Sequence, residues 1–164
     1  MGLQPSELAA AAGELGASVA RVIPADSVQV AEWVRWKCRW GCPHYGSNLV
    51  CPPYAPAPGE TARLLREYRE ALLFLADQSW RVRYLAGELE RLALAGGHPA
   101  AFGMGAGPCG LCSPCDLAAP CRHPHTARPS LEACGIDVFS TVAANGLELP
   151  CGPEGPRVGL VLLR

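Results

Sequence analysis

The sequence lacks a strong excess of charge of either sign. Its formal net charge at neutral pH is −1, and its 14 lysines and arginines are spread along 164 residues. A protein that binds nucleic acid through a broad basic surface needs these cations gathered into one patch. We therefore expect no nucleic-acid partner.

Long apolar runs are also missing. No stretch approaches the roughly 18 apolar residues that a membrane-spanning helix needs. The first residues, MGLQPSELAAAAGELG, lack the basic start and apolar run of a secretory signal. These absences predict a cytoplasmic protein without a membrane partner.

Familiar catalytic motifs are absent as well. The sequence offers no Ser–His–Asp arrangement and no defensible phosphate-binding loop. Its Gly-rich stretch GMGAG runs into cysteines and prolines, whereas a dinucleotide-binding loop runs into a helix. The sequence motifs therefore do not indicate any of these enzyme classes. The most unusual feature of the composition is its cysteine content.

Cysteine occurs nine times. Cytosolic thiols are kept reduced, so clustered cysteines there more often bind metal or react than form disulfides. The odd number also disfavours a closed disulfide framework. We expect most of these cysteines to act as ligands or as reactive groups.

Hydrophobic periodicity predicts alternating helices and strands. Helices are expected within residues 6–16, 61–72, 84–97 and 136–146, and strands within 71–77, 100–107 and 157–164. Asp137 is a suitable residue to cap the last of these helices. The predicted fold class is α/β, a sandwich of a small sheet with several helices. It forms a single domain over residues 1–164 and carries two cysteine-rich metal-binding loops.

The first dense group is the carboxy-terminal cysteine segment, residues 109–121, with the sequence CGLCSPCDLAAPC. Its C-x-x-C-x-x-C spacing brings three thiolates around one centre, as a cuboidal 4Fe–4S cluster requires. A structural zinc site more typically uses two separated pairs of ligands. The segment therefore favours an iron–sulfur cluster held by Cys109, Cys112, Cys115 and the nearest further cysteine, Cys121. Cys42 and Cys51 precede prolines, as the last cysteine of ferredoxin-type runs does, so ligand exchange between the two segments stays open.

The second group is the amino-terminal cysteine segment, residues 38–51, which contains Cys38, Cys42 and Cys51. Its spacing alone is a weak signal. Arg35, Lys37 and Arg39 surround its first cysteine, where cations could offset the negative charge of a thiolate cluster. Alternatively, the two arginines line the exposed edge of a strand that contains tryptophans.

Both cysteine segments resemble the two signatures of a family of predicted metal-binding proteins, domain of unknown function family 2284. The first lies in VRWKCRWGCPHYGSNLVCPPYAPAPGETARLLREYREALLF and the second in AGPCGLCSPCDLAAPCRHPHTARPSLEACGIDV. The resemblance implies metal or iron–sulfur binding, but no assigned reaction. It implies seven ligands: Cys38, Cys42, Cys51, Cys109, Cys112, Cys115 and Cys121. Cys134 and Cys151 are doubtful ligands.

Seven cysteines do not divide into two sets of four, and three arrangements remain open. The amino-terminal segment could hold a three-thiolate site with an open iron, or His44, Cys134 or Cys151 could complete it. In the third arrangement there is one cluster and the other thiols are structural or resolving cysteines. His123 and His125 more typically hydrogen-bond neighbouring loops than bind metal.

The leading functional hypothesis is redox or electron transfer through one or two 4Fe–4S clusters, with a redox partner protein or a small-molecule ligand. One alternative is an enzyme that offers an open iron to a small substrate. Another is an interaction module stabilised by Zn²⁺.

Overall fold

A computed structural model describes residues 2–164, which form five α-helices and four β-strands. The helices are α1 (Pro5–Glu14), α2 (Glu32–Gly41), α3 (Pro58–Leu65), α4 (Ser79–Ala95) and α5 (Val138–Ala144). The strands are β1 (Val19–Pro24), β2 (Glu70–Ala76), β3 (Phe102–Met104) and β4 (Arg157–Leu163). No helix among the described residues is both long and apolar enough to cross a bilayer.

The strands form one sheet in the order β1-β2-β4-β3, and every neighbouring pair is antiparallel. The long central pair runs from Glu70 opposite Leu163 to Ala76 opposite Arg157. This sheet and its covering helices confirm the predicted α/β class.

Both faces of the sheet are covered, which explains why β2 is an apolar run and not an alternating pattern. Its side chains point to opposite faces in turn. Leu72 and Phe74 pack in the apolar cluster formed with α1 and α4. Leu73 and Leu75 pack in a second cluster, formed with residues of α5 and of the chain just before it.

Most of the predicted elements are confirmed, and the cap of α5 is among them. The Asp137 carboxylate accepts a hydrogen bond from the Ser140 amide at 3.0 Å. The helix predicted over residues 61–72, however, ends at Leu65. Leu64 is exposed and Leu72 lies in β2, because the sheet takes the buried apolar run in an extended conformation.

A buried ion pair joins helix α4 to Arg128, which follows the carboxy-terminal cysteine segment in the sequence. The Arg128 guanidinium donates to the Glu90 carboxylate of α4, with an Nε–Oε2 distance of 2.7 Å. The same carboxylate accepts the Gly103 amide of β3 at 2.6 Å. Since both charged side chains are largely buried, each depends on the other for compensation.

We predict that Glu90→Ala lowers the free energy of unfolding by about 3 kcal/mol, because it leaves the Arg128 charge buried without a partner. Urea titration followed by circular dichroism measures the change. Glu88→Ala is the matched control on the same helix, since Glu88 pairs with the exposed Arg91 and its loss should hardly move the midpoint. Equal losses in the two variants would contradict a special role for the buried pair.

Candidate metal centre

The carboxy-terminal cysteine segment lies on a long irregular loop whose two ends are held together. Residues 106–129, all of them described, form neither helix nor strand. At the base of the loop, Gly105 and Ser130 pair as an isolated parallel bridge. The Gly105 amide donates to the Pro129 carbonyl at 2.9 Å, and the Leu131 amide donates to the Gly105 carbonyl at 3.1 Å. The loop is therefore closed before any ligand binds.

Four predicted ligands converge within this loop. Cys109, Cys112, Cys115 and Cys121 all line one cavity, together with His123 and residues 48–50 of the other segment. Each of the four thiols is partly exposed. The cavity has a volume of about 20 Å³, which is room for about one water molecule. The short spacing thus does place four sulfurs around a common space.

The three cysteines of the amino-terminal segment line a second, larger cavity. Cys38 lies in the last turn of α2, Cys42 ends that helix, and Cys51 follows in the next loop. They share a cavity of about 190 Å³ with His44 and Glu132.

The two cavities are neighbours. Residues 48–50 line the first cavity and Cys51 lines the second, while Pro108 lines the second and Cys109 the first. The structure therefore brings together the two segments, which are far apart in the sequence.

In the second cavity, burial and the negative charge of neighbouring thiolates raise the pKa values of two cysteine thiols. Partial burial raises the pKa of Cys38, and the neighbouring Cys42 thiolate raises it further, while Arg35 acts in the opposite direction. Partial burial also raises the pKa of Cys51; a hydrogen bond from Asn48 lowers it, and Cys42 and Cys109 add to the rise. A metal ion must displace the protons that these thiols retain.

The cations near Cys38 lie on a helix, so the interpretation of an exposed strand edge was wrong. Arg35 donates from α2 to the carbonyls of Ala55 and Ala133, both at 3.3 Å, and to that of Pro56. The Arg39 guanidinium stacks over the Trp40 ring at 5.1 Å. Arg35 thus joins three parts of the chain and partly offsets the rise in the pKa of Cys38, whereas Arg39 faces the surface.

Residues 130–136 form a connecting segment between the two cysteine regions. Ser130 closes the carboxy-terminal loop, and Ile136 pairs with Val30 just before α2. The Gly135 carbonyl accepts the Ala31 amide at 3.0 Å. This segment fixes the start of α2 relative to the loop base, and so fixes both cavities.

We predict that Gly135→Ala lowers the free energy of unfolding by about 2 kcal/mol or more. Gly135 has a φ of +80°, and an added Cβ would lie 2.6 Å from Pro58 Cγ, so backbone strain and a clash combine. Gly87→Ala is the control, because Gly87 lies within α4 and an added Cβ meets nothing within 4 Å. That variant should gain roughly 0.5–1 kcal/mol. If urea titration shows both variants gaining stability, the strain argument is wrong.

The two doubtful cysteines line neither cavity. Cys134 is 2% exposed and packs in the core, and burial raises the pKa of its thiol to about 12. Cys151 is exposed in the loop before β4. Their positions separate them from the seven cysteines that the resemblance implies as ligands.

The structure also reveals a groove that the cysteine spacing did not indicate. A groove of about 510 Å³ is lined by residues of α2 and α5, including Trp33, Lys37 and Phe139. Glu132 forms part of the wall between this groove and the second cavity. Its side chain reaches solvent through these spaces, yet the surrounding protein raises the pKa of its carboxyl group. No sequence signal near Glu132 marks it as a cavity residue.

The described residues, 2–164, contain no group of three or more His, Cys, Asp or Glu side chains arranged to hold a single metal ion. The cysteines share cavities, but their sulfurs are not collected at one coordination point.

We predict that Cys134→Ala leaves metal content unchanged but alters stability at alkaline pH. Below about pH 9 the thiol is protonated in both the folded and unfolded states. Between about pH 9 and 12 only the unfolded state loses the proton. The free energy of unfolding of the wild-type protein therefore falls as pH rises, by at most about 4 kcal/mol.

Urea titrations across this pH range should show a shallower decline for Cys134→Ala than for Cys151→Ala, whose thiol is exposed. Loss of bound metal in Cys134→Ala alone would contradict its placement in the core.

The geometry defines a class: a small α/β protein in which the end of one helix and the loops gather seven cysteines into two adjacent cavities. The model of the family described as predicted metal-binding protein (DUF2284) matches residues 21–163. The chain therefore belongs to this family, and the resemblance carried by the two cysteine signatures is confirmed. Neither a curated protein nor a solved structure matches the chain.

Proposed function

We propose that the chain is a cytoplasmic iron–sulfur protein with a redox role, in which residues 1–164 form one domain. Cys109, Cys112, Cys115 and Cys121 would hold a 4Fe–4S cluster, which supplies one-electron chemistry when bound. The supporting observation is that these four thiols, and none of the other cysteines, line the same cavity. Membership of a metal-binding family agrees with this proposal at a coarser level.

The donor set suits iron and sulfide chemically. Thiolates are soft ligands that favour iron–sulfur clusters and zinc over magnesium or calcium. All four thiols are partly exposed, so they are accessible to incoming metal. The present cavity is about 20 Å³, and a cluster requires the irregular loop to widen around it. Because backbone hydrogen bonds hold the two ends of the loop together at its base, only the loop between them can widen.

Local charge also supports the proposal. No Asp or Glu occurs between Glu32 and Glu60, a stretch that contains three cations and the amino-terminal cysteine segment; Glu132 adds one carboxylate to the cavity of that segment. A four-thiolate cluster carries net negative charge, and neighbouring cations stabilise the more negative, reduced form. In this proposal the protein exchanges electrons with a redox partner protein, and the cations near Cys38 raise the potential of a centre at the amino-terminal cysteine segment.

We predict that Cys112→Ser removes the cluster of the carboxy-terminal segment. Cys112 is the middle cysteine of the C-x-x-C-x-x-C run, and a serine hydroxyl is a poor substitute for thiolate at iron. Anaerobic purification followed by iron, sulfide and zinc analysis should show both iron and sulfide falling relative to wild type. Cys151→Ser is the matched control and should retain the wild-type content.

Unchanged iron and sulfide in Cys112→Ser would refute the ligand assignment. Zinc without sulfide in the wild-type protein would refute the iron–sulfur proposal and favour the zinc-stabilised interaction module.

A further inference from the structure

We propose that His44 is the fourth protein ligand of the metal centre at the amino-terminal cysteine segment. The inference rests on the proposal that Cys38, Cys42 and Cys51 bind a metal centre. It adds a nitrogen donor to these three sulfurs, which produces a closed site with three cysteines and one histidine.

The three residues that could complete this site lie in three different environments. Cys134 lies in the apolar core, with its backbone carbonyl accepting the Thr61 hydroxyl at 2.6 Å. Cys151 is exposed beyond the walls of the second cavity. His44 alone of the three lines the cavity that contains Cys38, Cys42 and Cys51.

His44 has a fixed backbone and an available ring. The Tyr45 amide donates to the Cys42 carbonyl at 3.2 Å, and the Ser47 hydroxyl donates to the His44 carbonyl at 2.7 Å. These bonds hold the turn that follows Cys42. Among the described residues, neither ring nitrogen of His44 forms a hydrogen bond, so both are free for coordination.

Oxygen donors at the cavity are less suitable. The Glu132 carboxylate would add a further negative charge to three thiolates. Tyr45 and Ser130 offer hydroxyl groups. Imidazole is the softer donor, and it is found with thiolates both in zinc sites and in iron–sulfur clusters.

This assignment changes what the centre can do. A three-thiolate iron would keep an open position for substrate, as catalytic metal sites do. A histidine ligand closes that position, so the centre suits electron transfer or structure. Replacing a thiolate by a neutral imidazole also reduces negative charge, which raises the reduction potential of an iron–sulfur cluster.

Pulsed electron paramagnetic resonance of the reduced, anaerobically reconstituted full-length protein tests the proposal. We expect a strongly coupled nitrogen whose signal shifts when the histidine nitrogens are isotopically labelled. His44→Ala should lose this coupling. His123→Ala is the matched control, since His123 is also exposed but lines the other cavity, and it should retain the coupling.

His44→Cys provides a second measurement, because it restores four ligands. It should retain iron and sulfide while its midpoint potential becomes more negative than that of wild type. An unchanged potential would contradict direct ligation by His44. Because His44 is exposed, neither substitution removes core packing.

A reduced cluster without histidine coupling, or with coupling lost only in His123→Ala, overturns the inference and leaves the proposed function intact. If metal analysis instead finds zinc without sulfide, the iron–sulfur function fails separately. X-ray absorption at the zinc edge then tests the ligands: multiple scattering from an imidazole ring that is lost in His44→Ala and retained in His123→Ala supports His44. A wild-type spectrum without imidazole scattering overturns it.

Discussion

Both cysteine regions depend on the backbone pairing of one short stretch, the connecting segment of residues 130–136. Ser130, the first residue of the segment, pairs with Gly105 at the base of the carboxy-terminal loop. Ile136, the last residue, pairs with Val30 just before α2. Between them, Gly135 packs against Pro58 so closely that a side chain has no room. Cysteines that are far apart in the sequence are neighbours because this segment touches the base of each region.

The sheet supplies rigidity, and the loops supply the donors. Antiparallel pairing and cover on both faces bury β2 and β4 almost completely. The cysteine regions lie outside this core, where partial burial raises the pKa of Cys38 and Cys51 without removing them from solvent. Partial exposure leaves thiols accessible to metal, whereas the buried Cys134 shows what full burial does: the thiol becomes an inert apolar side chain.

The parts of the site that depend on short-range spacing could be predicted from the sequence. C-x-x-C-x-x-C keeps three cysteines within a stretch of seven residues, and the structure places all three at one cavity. The helical state of residues 32–41 does have a signal in the sequence, because Trp33, Trp36 and Trp40 recur at i, i+3 and i+7, as on one face of a helix; the preference of tryptophan for strands points the other way. By contrast, Glu132 reaches the second cavity only through contacts between α2 and the connecting segment. Such contacts leave no periodic pattern in the sequence.

The closeness of the two cavities has an electrostatic consequence if each holds a centre. Cys109 belongs to one cavity, yet its thiolate raises the pKa of Cys51 in the other. Charge added to one centre is therefore felt by its neighbour, at an effective dielectric constant well below that of water. Adding an electron to one cluster would make reduction of the second less favourable. If His44 is the fourth ligand of the amino-terminal site, the pair of centres would carry less negative charge than with a fourth thiolate there, which would reduce the cost of holding two centres side by side.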